Sequence, residues 1–158
     1  MRVMTFRGPA ALLLMAATVL GCSQREAPPV QQESVVEAEG LSAAIRVGTG
    51  ADVVRLTLHV TNTSGAPIEL EFTSGQRYDF QIAELEGDAL GETLWTWSAD
   101  KSFMQALGTE TLAAGASLEF TEEWPTGGRR GVVVAIARLT SSSHPVQQSV
   151  RFDLSGDE

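Results

Sequence analysis

The sequence predicts an all-β fold, an antiparallel β-sandwich, on three observations. Apolar and polar residues alternate with period two in several short runs, clusters of Gly, Pro, Asn and Ser recur between those runs, and no stretch has the periodicity of a long amphipathic helix. Alternation follows from pleat geometry: successive side chains leave a strand on opposite faces, so a half-wet strand reads apolar, polar, apolar. Many short strands with regular turns suit two packed sheets.

The folded unit is expected to begin near Leu41. Val54, Leu56, Leu58 and Val60 alternate with Arg55, Thr57, His59 and Thr61, which predicts a strand with one solvated face. Residues 62–67 combine Asn, Ser, Gly and Pro and predict a turn. Ile68, Leu70 and Phe72 alternate with Glu69 and Glu71, a second strand broken by Ser74-Gly75. Tyr78, Phe80 and Ile82 alternate with Asp79 and Gln81, and Glu86-Gly87-Asp88 marks a hairpin whose returning strand covers residues 92–97. Residues 100–107 are the least strand-like and are expected to form a helical turn. Residues 113–115 turn again, and Leu118 and Phe120 alternate with Glu119 and Thr121. Gly131 opens a nearly continuous apolar run over residues 132–139, the pattern of a central strand buried on both faces. Val150, Phe152 and Leu154 alternate with Arg151 and Asp153 and close the domain.

A segment of another kind precedes this domain. Arg2 and Arg7 are followed by an apolar run over residues 10–20 and a small residue, Gly21, in the order of a secretory leader. About 11 apolar residues are too few to span a bilayer, which takes roughly 20. Val19-Leu20-Gly21-Cys22 resembles the lipobox of bacterial lipoproteins. That resemblance implies cleavage before Cys22, acylation of its thiol, and attachment to a membrane of the bacterial cell envelope through the N-terminal lipid. In a cell with two membranes, Ser23 is compatible with sorting to the periplasmic face of the outer membrane. The expected organisation is a signal peptide over 1–21, a lipidated cysteine and disordered linker over 22–40, and a sandwich domain over 41–158. The linker is polar and acidic, contains Pro28-Pro29, and would reach roughly 60 Å at about 3.3 Å per residue.

The chain of 158 residues carries a net charge of −9; losing Arg2 and Arg7 with the leader would take it to −11. Such a surface repels phosphate backbones and argues against nucleic acid as a partner. Cys22 is the only cysteine, so no intramolecular disulfide can form, and stability has to come from the packed core.

Little material for catalysis is visible. His59 lies on the polar face of a strand and His144 in a Ser-rich loop, both expected to be solvated, and no Gly-x-Ser-x-Gly elbow occurs. We expect no enzyme, no cofactor and no metal. The two histidines are far apart and Cys22 is committed to lipid. Glu84, Glu86, Asp88 and Glu92 crowd one hairpin with hard oxygen ligands, but without an EF-hand pattern. Glu69 and Glu71 read as a solvated strand face. Trp95 and Trp97, two apart, are expected on one face, either packed on the core or presented as an anchor for a partner.

Asn62-x-Ser64, Leu70-x-Phe72, the run over residues 74–80 (SGQRYDF), Gly87, the run over 94–98 (LWTWS), the run over 103–107 (FMQAL), Leu112-x-x-Gly115, Trp124 and the strand after Gly131 together resemble the BsuPI family, named for an intracellular proteinase inhibitor of Bacillus. The likeness covers roughly residues 53–138. It implies an immunoglobulin-like β-sandwich and a serine proteinase inhibitor, and it carries over no residue as an inhibitory site.

Physical requirements supply a candidate. A substrate-like inhibitor needs a loop that is exposed yet rigid, because ordering a floppy segment costs affinity. Residues 98–110 fit best, offering Lys101, Phe103, Met104 and Leu107 as side chains for a protease pocket. The expected partner-contact residues are Lys101, Phe103, Met104, Trp95 and Trp97, and the expected partner is a protease or another envelope protein. The alternative is a non-inhibitory structural or accessory module of an envelope complex.

Overall fold

The computed structural model describes residues 30–38 and 40–154. Their strands are β1 (Val30–Ala38), β2 (Leu41–Thr49), β3 (Val53–Asn62), β4 (Ile68–Phe72), β5 (Tyr78–Glu86), β6 (Ala89–Thr96), β7 (Gly108–Leu112), β8 (Ser117–Pro125), β9 (Val132–Leu139) and β10 (Val146–Asp153). They assemble into two four-stranded sheets, ordered β1-β2-β3-β8 and β10-β9-β5-β6, and a two-stranded ribbon, β4-β7. Every pairing is antiparallel. The fold is the expected β-sandwich. Among the described residues the single helical element is a 3₁₀ turn, Trp97–Asp100, and no helix is long and apolar enough to cross a membrane.

The alternation read from sequence is the alternation of burial. Val54, Leu56, Leu58 and Val60 of β3 point into the core, facing Phe80 and Ile82 of β5, Val133, Ala135 and Ala137 of β9, and Val150 and Phe152 of β10 in one cluster. Each such aliphatic or aromatic side chain contributes about 1.5–3 kcal/mol by leaving water. β9 is central and buried on both faces, as its continuous apolar run predicts. β4 matches its expected bounds, with Ile68, Leu70 and Phe72 inward.

The structure corrects the sequence in three places. Residues 30–38, expected within a disordered linker, form β1, paired with β2 over its length apart from an irregularity between Val30 and Gln32. The free edge of β2 offers unpaired backbone groups, and a neighbouring segment that satisfies them becomes a strand. The helical turn expected over 100–107 is absent: the 3₁₀ turn comes earlier, and residues 101–107 are irregular. Trp97 lies one residue past the end of β6, where it stacks on Tyr78 and, like Trp95, packs against the core. His59 and His144, both expected to be solvated, are half-buried.

The sandwich has two distinct ends. β1 starts at the end where Val30 aligns with Gly48 and Val53 with Pro125. The short link over residues 126–131 joins this end to the start of β9, so the β5–β6 hairpin lies there too. Tyr78, Thr96 and Leu139 mark the opposite end of the second sheet, where residues 97–107 emerge.

Candidate functional site

The segment that joins β4 to β5, together with the start of β5, organises the far end. Its alternate residues Gly75, Arg77 and Asp79 each hold a different part of the loop that follows β6. Asp79 takes the start: Ser98 Oγ donates to its Oδ2 at 2.6 Å and Ser98 N–H to its Oδ1 at 3.2 Å. Gly75 takes the middle: its N–H donates to the Met104 carbonyl at 2.8 Å. Arg77 takes the end. Its guanidinium lies 4.1 Å from the centre of the Phe72 ring, donates from Nη1 to the Ser74 carbonyl at 2.8 Å, and faces Glu110 at 3.8 Å. Its Nη2 would lie only 3.0 Å from a Cβ at Gly108, so glycine lets the guanidinium sit against the start of β7.

Between the second and third anchors stand Gln105, Ala106 and Leu107, all exposed. Met104 is 78% exposed and Leu107 87%. A loop of this kind is held without a disulfide and still presents its side chains to solvent.

An aromatic stack fills the open side of the sandwich next to the loop. The Tyr78 ring stacks on Trp97 and on Phe120, with centroids 4.4 Å apart in each case, and meets Phe80 edge-on at 5.7 Å. Trp97 continues to Phe103 at 5.8 Å. The Tyr78 hydroxyl donates to Glu122 Oε1 at 2.5 Å. Burial, then the hydrogen bond and the negative charge of Glu122, push the Tyr78 phenol well above its ordinary value. Glu122 sits on the core-facing side of edge strand β8, where an inward carboxylate also discourages pairing with a stray strand.

The five expected contact residues therefore differ in availability. Met104 offers a free side chain but a carbonyl turned to the scaffold. Lys101 is exposed, yet its Nζ donates to the Trp97 carbonyl at 3.0 Å and to Asp100 at 3.2 Å, and lies 4.7 Å from the Trp97 ring centre. Phe103 is half-buried against Trp97. Trp95, paired with Ile82, and Trp97 both pack against the core. The structure brings Lys101, Trp97 and Phe103 together and leaves Trp95 in the sheet. Sequence reasoning missed the braces Gly75 and Arg77; the glycine, read only as a strand breaker, is a close backbone approach to Met104.

Elsewhere, Ser143 Oγ lies 3.1 Å from His144 Nδ1, but that hydroxyl also donates to the Glu69 carbonyl and accepts from Glu71 N–H. It clamps the loop before β10 onto β4, an arrangement of a structural hydroxyl and not of an activated nucleophile. In the β5–β6 hairpin, Asp88 pairs with Arg151 at 3.2 Å. Among the described residues no three His, Cys, Asp or Glu side chains converge as a metal site.

Fold and loop together define a small antiparallel sandwich domain that presents one braced segment at its end. The chain belongs to the BsuPI family: the family model described as "Intracellular proteinase inhibitor" matches residues 41–147. That family is one of inhibitors and not of enzymes. No curated protein matches the chain in sequence. Similar solved structures include β-glucosidase 3B from Thermotoga neapolitana, 13% identical with a TM-score of 0.41 over 78% of this chain. This chain spans only 16% of that one. The sporulation control protein Spo0M of Bacillus subtilis is 13% identical with a TM-score of 0.39, covering 80% of this chain and 49% of its own. The putative ApaA protein of Bordetella pertussis is 17% identical with a TM-score of 0.35, covering 80% and 96%.

Proposed function

We propose that this protein is a serine proteinase inhibitor held on a bacterial envelope membrane by an acylated Cys22, and that residues 101–107 enter the protease. One observation carries the inhibitory part: the exposed loop is pinned at its start, middle and end by Asp79, Gly75 and Arg77. Association pays roughly 0.5–1.5 kcal/mol for each rotamer-rich side chain it must immobilise, plus the ordering of any mobile loop. A loop already ordered by its scaffold avoids much of that cost. Family membership supports the same role.

The anchor is supported by sequence. Cys22 and the leader lie outside the described residues, and the charge order, the short apolar run and the lipobox favour a lipid tether. Ser23 favours the periplasmic face of the outer membrane where two membranes exist. The chain enters the sandwich through β1 at the end away from the loop, which suits a domain that faces outward from its membrane.

The test is a titration of the full chain, purified in detergent, against a subtilisin-type protease, chymotrypsin and trypsin. Loss of activity at one-to-one stoichiometry with at least one of them is expected. Full protease activity in all three at excess inhibitor overturns the inhibitory role and leaves the accessory-module reading. That alternative has its own surface: Leu90, 58% exposed, with Leu85, Val134 and Ile136 lines a shallow groove on the outer face of the second sheet.

A further inference from the structure

The geometry points to Leu107 as the side chain that fills the protease's primary specificity pocket, and so to target proteases whose pocket is apolar. This rests on the inhibitory role proposed above and adds which residue docks and which class of enzyme it selects.

The residue in that pocket has to satisfy three conditions at once. Its side chain must stand free in solvent, its carbonyl must be able to reach the protease's oxyanion donors, and its backbone must be held on both sides. Lys101 fails the first, because its ammonium is turned back onto the Trp97 carbonyl, Asp100 and the Trp97 ring. Phe103 fails it as well, being half-buried against Trp97. Met104 meets the first and fails the second: its carbonyl accepts the Gly75 N–H at 2.8 Å and faces the scaffold.

Leu107 meets all three. Glu71 turns its N–H and carbonyl to Ser143 and Ser142, so the alternate residue Phe72 bonds Gly108. Across the trans peptide the Leu107 carbonyl therefore points away from β4. At 87% Leu107 is the most exposed large hydrophobic residue among the described residues. It lies between the Gly75 anchor on Met104 and the Arg77 guanidinium packed against Gly108. Gly108 then pairs with Phe72 at the start of β7, so the residue following Leu107 is fixed in the β4–β7 ribbon. An isolated leucine held out in water at the tip of a rigid span gains by entering an apolar cavity, whereas a pocket with a carboxylate at its base offers it nothing.

The test uses full-length protein and its Leu107→Ala, Leu107→Lys and Met104→Ala variants, each titrated against chymotrypsin, a subtilisin-type protease and trypsin. All three substitutions sit on exposed side chains, and matched thermal melts confirm equal folding. The parent chain is expected to inhibit an apolar-pocket enzyme and to spare trypsin. Leu107→Ala is expected to weaken that inhibition about 10- to 100-fold. Leu107→Lys is expected to lose it and gain inhibition of trypsin, while Met104→Ala, at a second exposed side chain of the same loop, is expected to weaken inhibition less than Leu107→Ala does. If the parent chain inhibits but both Leu107 variants match it, the assignment of Leu107 is wrong while the inhibitory role stands. If the parent chain inhibits trypsin best, the apolar-pocket class is wrong. If it inhibits none of the three, the inhibitory role and this assignment fall together.

Discussion

Asn62 carries more of the fold than its place in a polar turn suggests. It is 1% exposed, and all four hydrogen-bonding sites of its amide are used. Nδ2 donates to the Ala66 carbonyl at 2.7 Å and the Leu112 carbonyl at 2.8 Å, while Oδ1 accepts Ser64 N–H at 2.9 Å and Ser64 Oγ at 2.7 Å. One side chain thereby shapes the β3–β4 turn and ties it to the end of β7. Asn62→Ala strands the buried Leu112 carbonyl and removes the Ser64 acceptor that shapes the turn, and should cost about 2–4 kcal/mol, seen as a fall in Tm of roughly 10–20 °C; a melt within a few degrees of the parent would refute it. The sequence marked Asn62 as turn chemistry, which was correct, but the contact with Leu112 spans too many residues for local pattern to reveal. Tyr78 gives a second test, helped by its being the only tyrosine. Because its folded pKa is raised, the native state keeps a proton that the unfolded chain releases above pH about 10. Its contribution is complete below that pH and is lost as pH rises beyond it. Phenolate absorbance in the native protein should therefore appear only well above the ordinary range, and Tyr78→Phe should flatten the alkaline fall in Tm. A native titration midpoint near 10 would show that the Glu122 contact is not held in solution.

At the scale of elements, what the sequence disclosed depended on how far each strand's stability is its own. β3, β4, β5 and β10 each place alternate large side chains in the core, and period-two patterning reports that directly, while β9, buried on both faces, shows as a continuous apolar run. β2 buries Leu41, Ala43, Ile45 and Val47, but Ala44 is buried too and blurs the alternation. β1 and β7 were illegible because they are strands by pairing. β7 is five residues of Gly, Thr, Glu and Leu made extended by β4, and β1 is a polar segment made extended by the edge of β2. The loop was legible as a candidate from its irregular composition, whereas its braces were not, because the hydrogen bonds from Gly75 and Asp79 to Met104 and Ser98, and the packing of Arg77 on Gly108, leave no periodic trace. Those braces can be tested as a unit. Arg77→Met keeps an apolar stem over Phe72 and removes the guanidinium that fixes the Gly108 end. Its partly exposed pairing with Glu110 is worth about 1 kcal/mol or less. Tm should thus fall by less than about 5 °C, while cleavage between residues 104 and 108 by an added protease should accelerate at least tenfold, a rough estimate for releasing one end of an ordered loop. Unchanged cleavage would mean that the loop is rigid without Arg77.

At the scale of the whole molecule, charge and tether make opposite demands. The chain is acidic, with a net charge of −9 that would become −11 without its leader, so an anionic membrane surface repels it. The proposed attachment then has to come from lipid alone. A single acyl chain gives only marginal binding, and two suffice for stable anchoring, so the fully acylated Cys22 of the proposed function would overcome the repulsion while the acidic domain stands off the surface. The tether has room for this: Cys22 precedes the start of β1 by eight residues, roughly 26 Å when extended at about 3.3 Å each. With Cys22 that far ahead of β1 in sequence, losing the proposed lipid should not touch the core. Cys22→Ser expressed in a bacterial host should therefore move from the membrane fraction to the soluble one, with a Tm within about 2 °C of the detergent-purified parent and the same stoichiometry against the inhibited protease. Raising salt should not return it to membranes as screening would if charge repulsion were its main barrier. A variant that remained membrane-bound would place the attachment elsewhere in the chain, and one that left the membrane but lost its melting transition would show that the tether contributes to the fold.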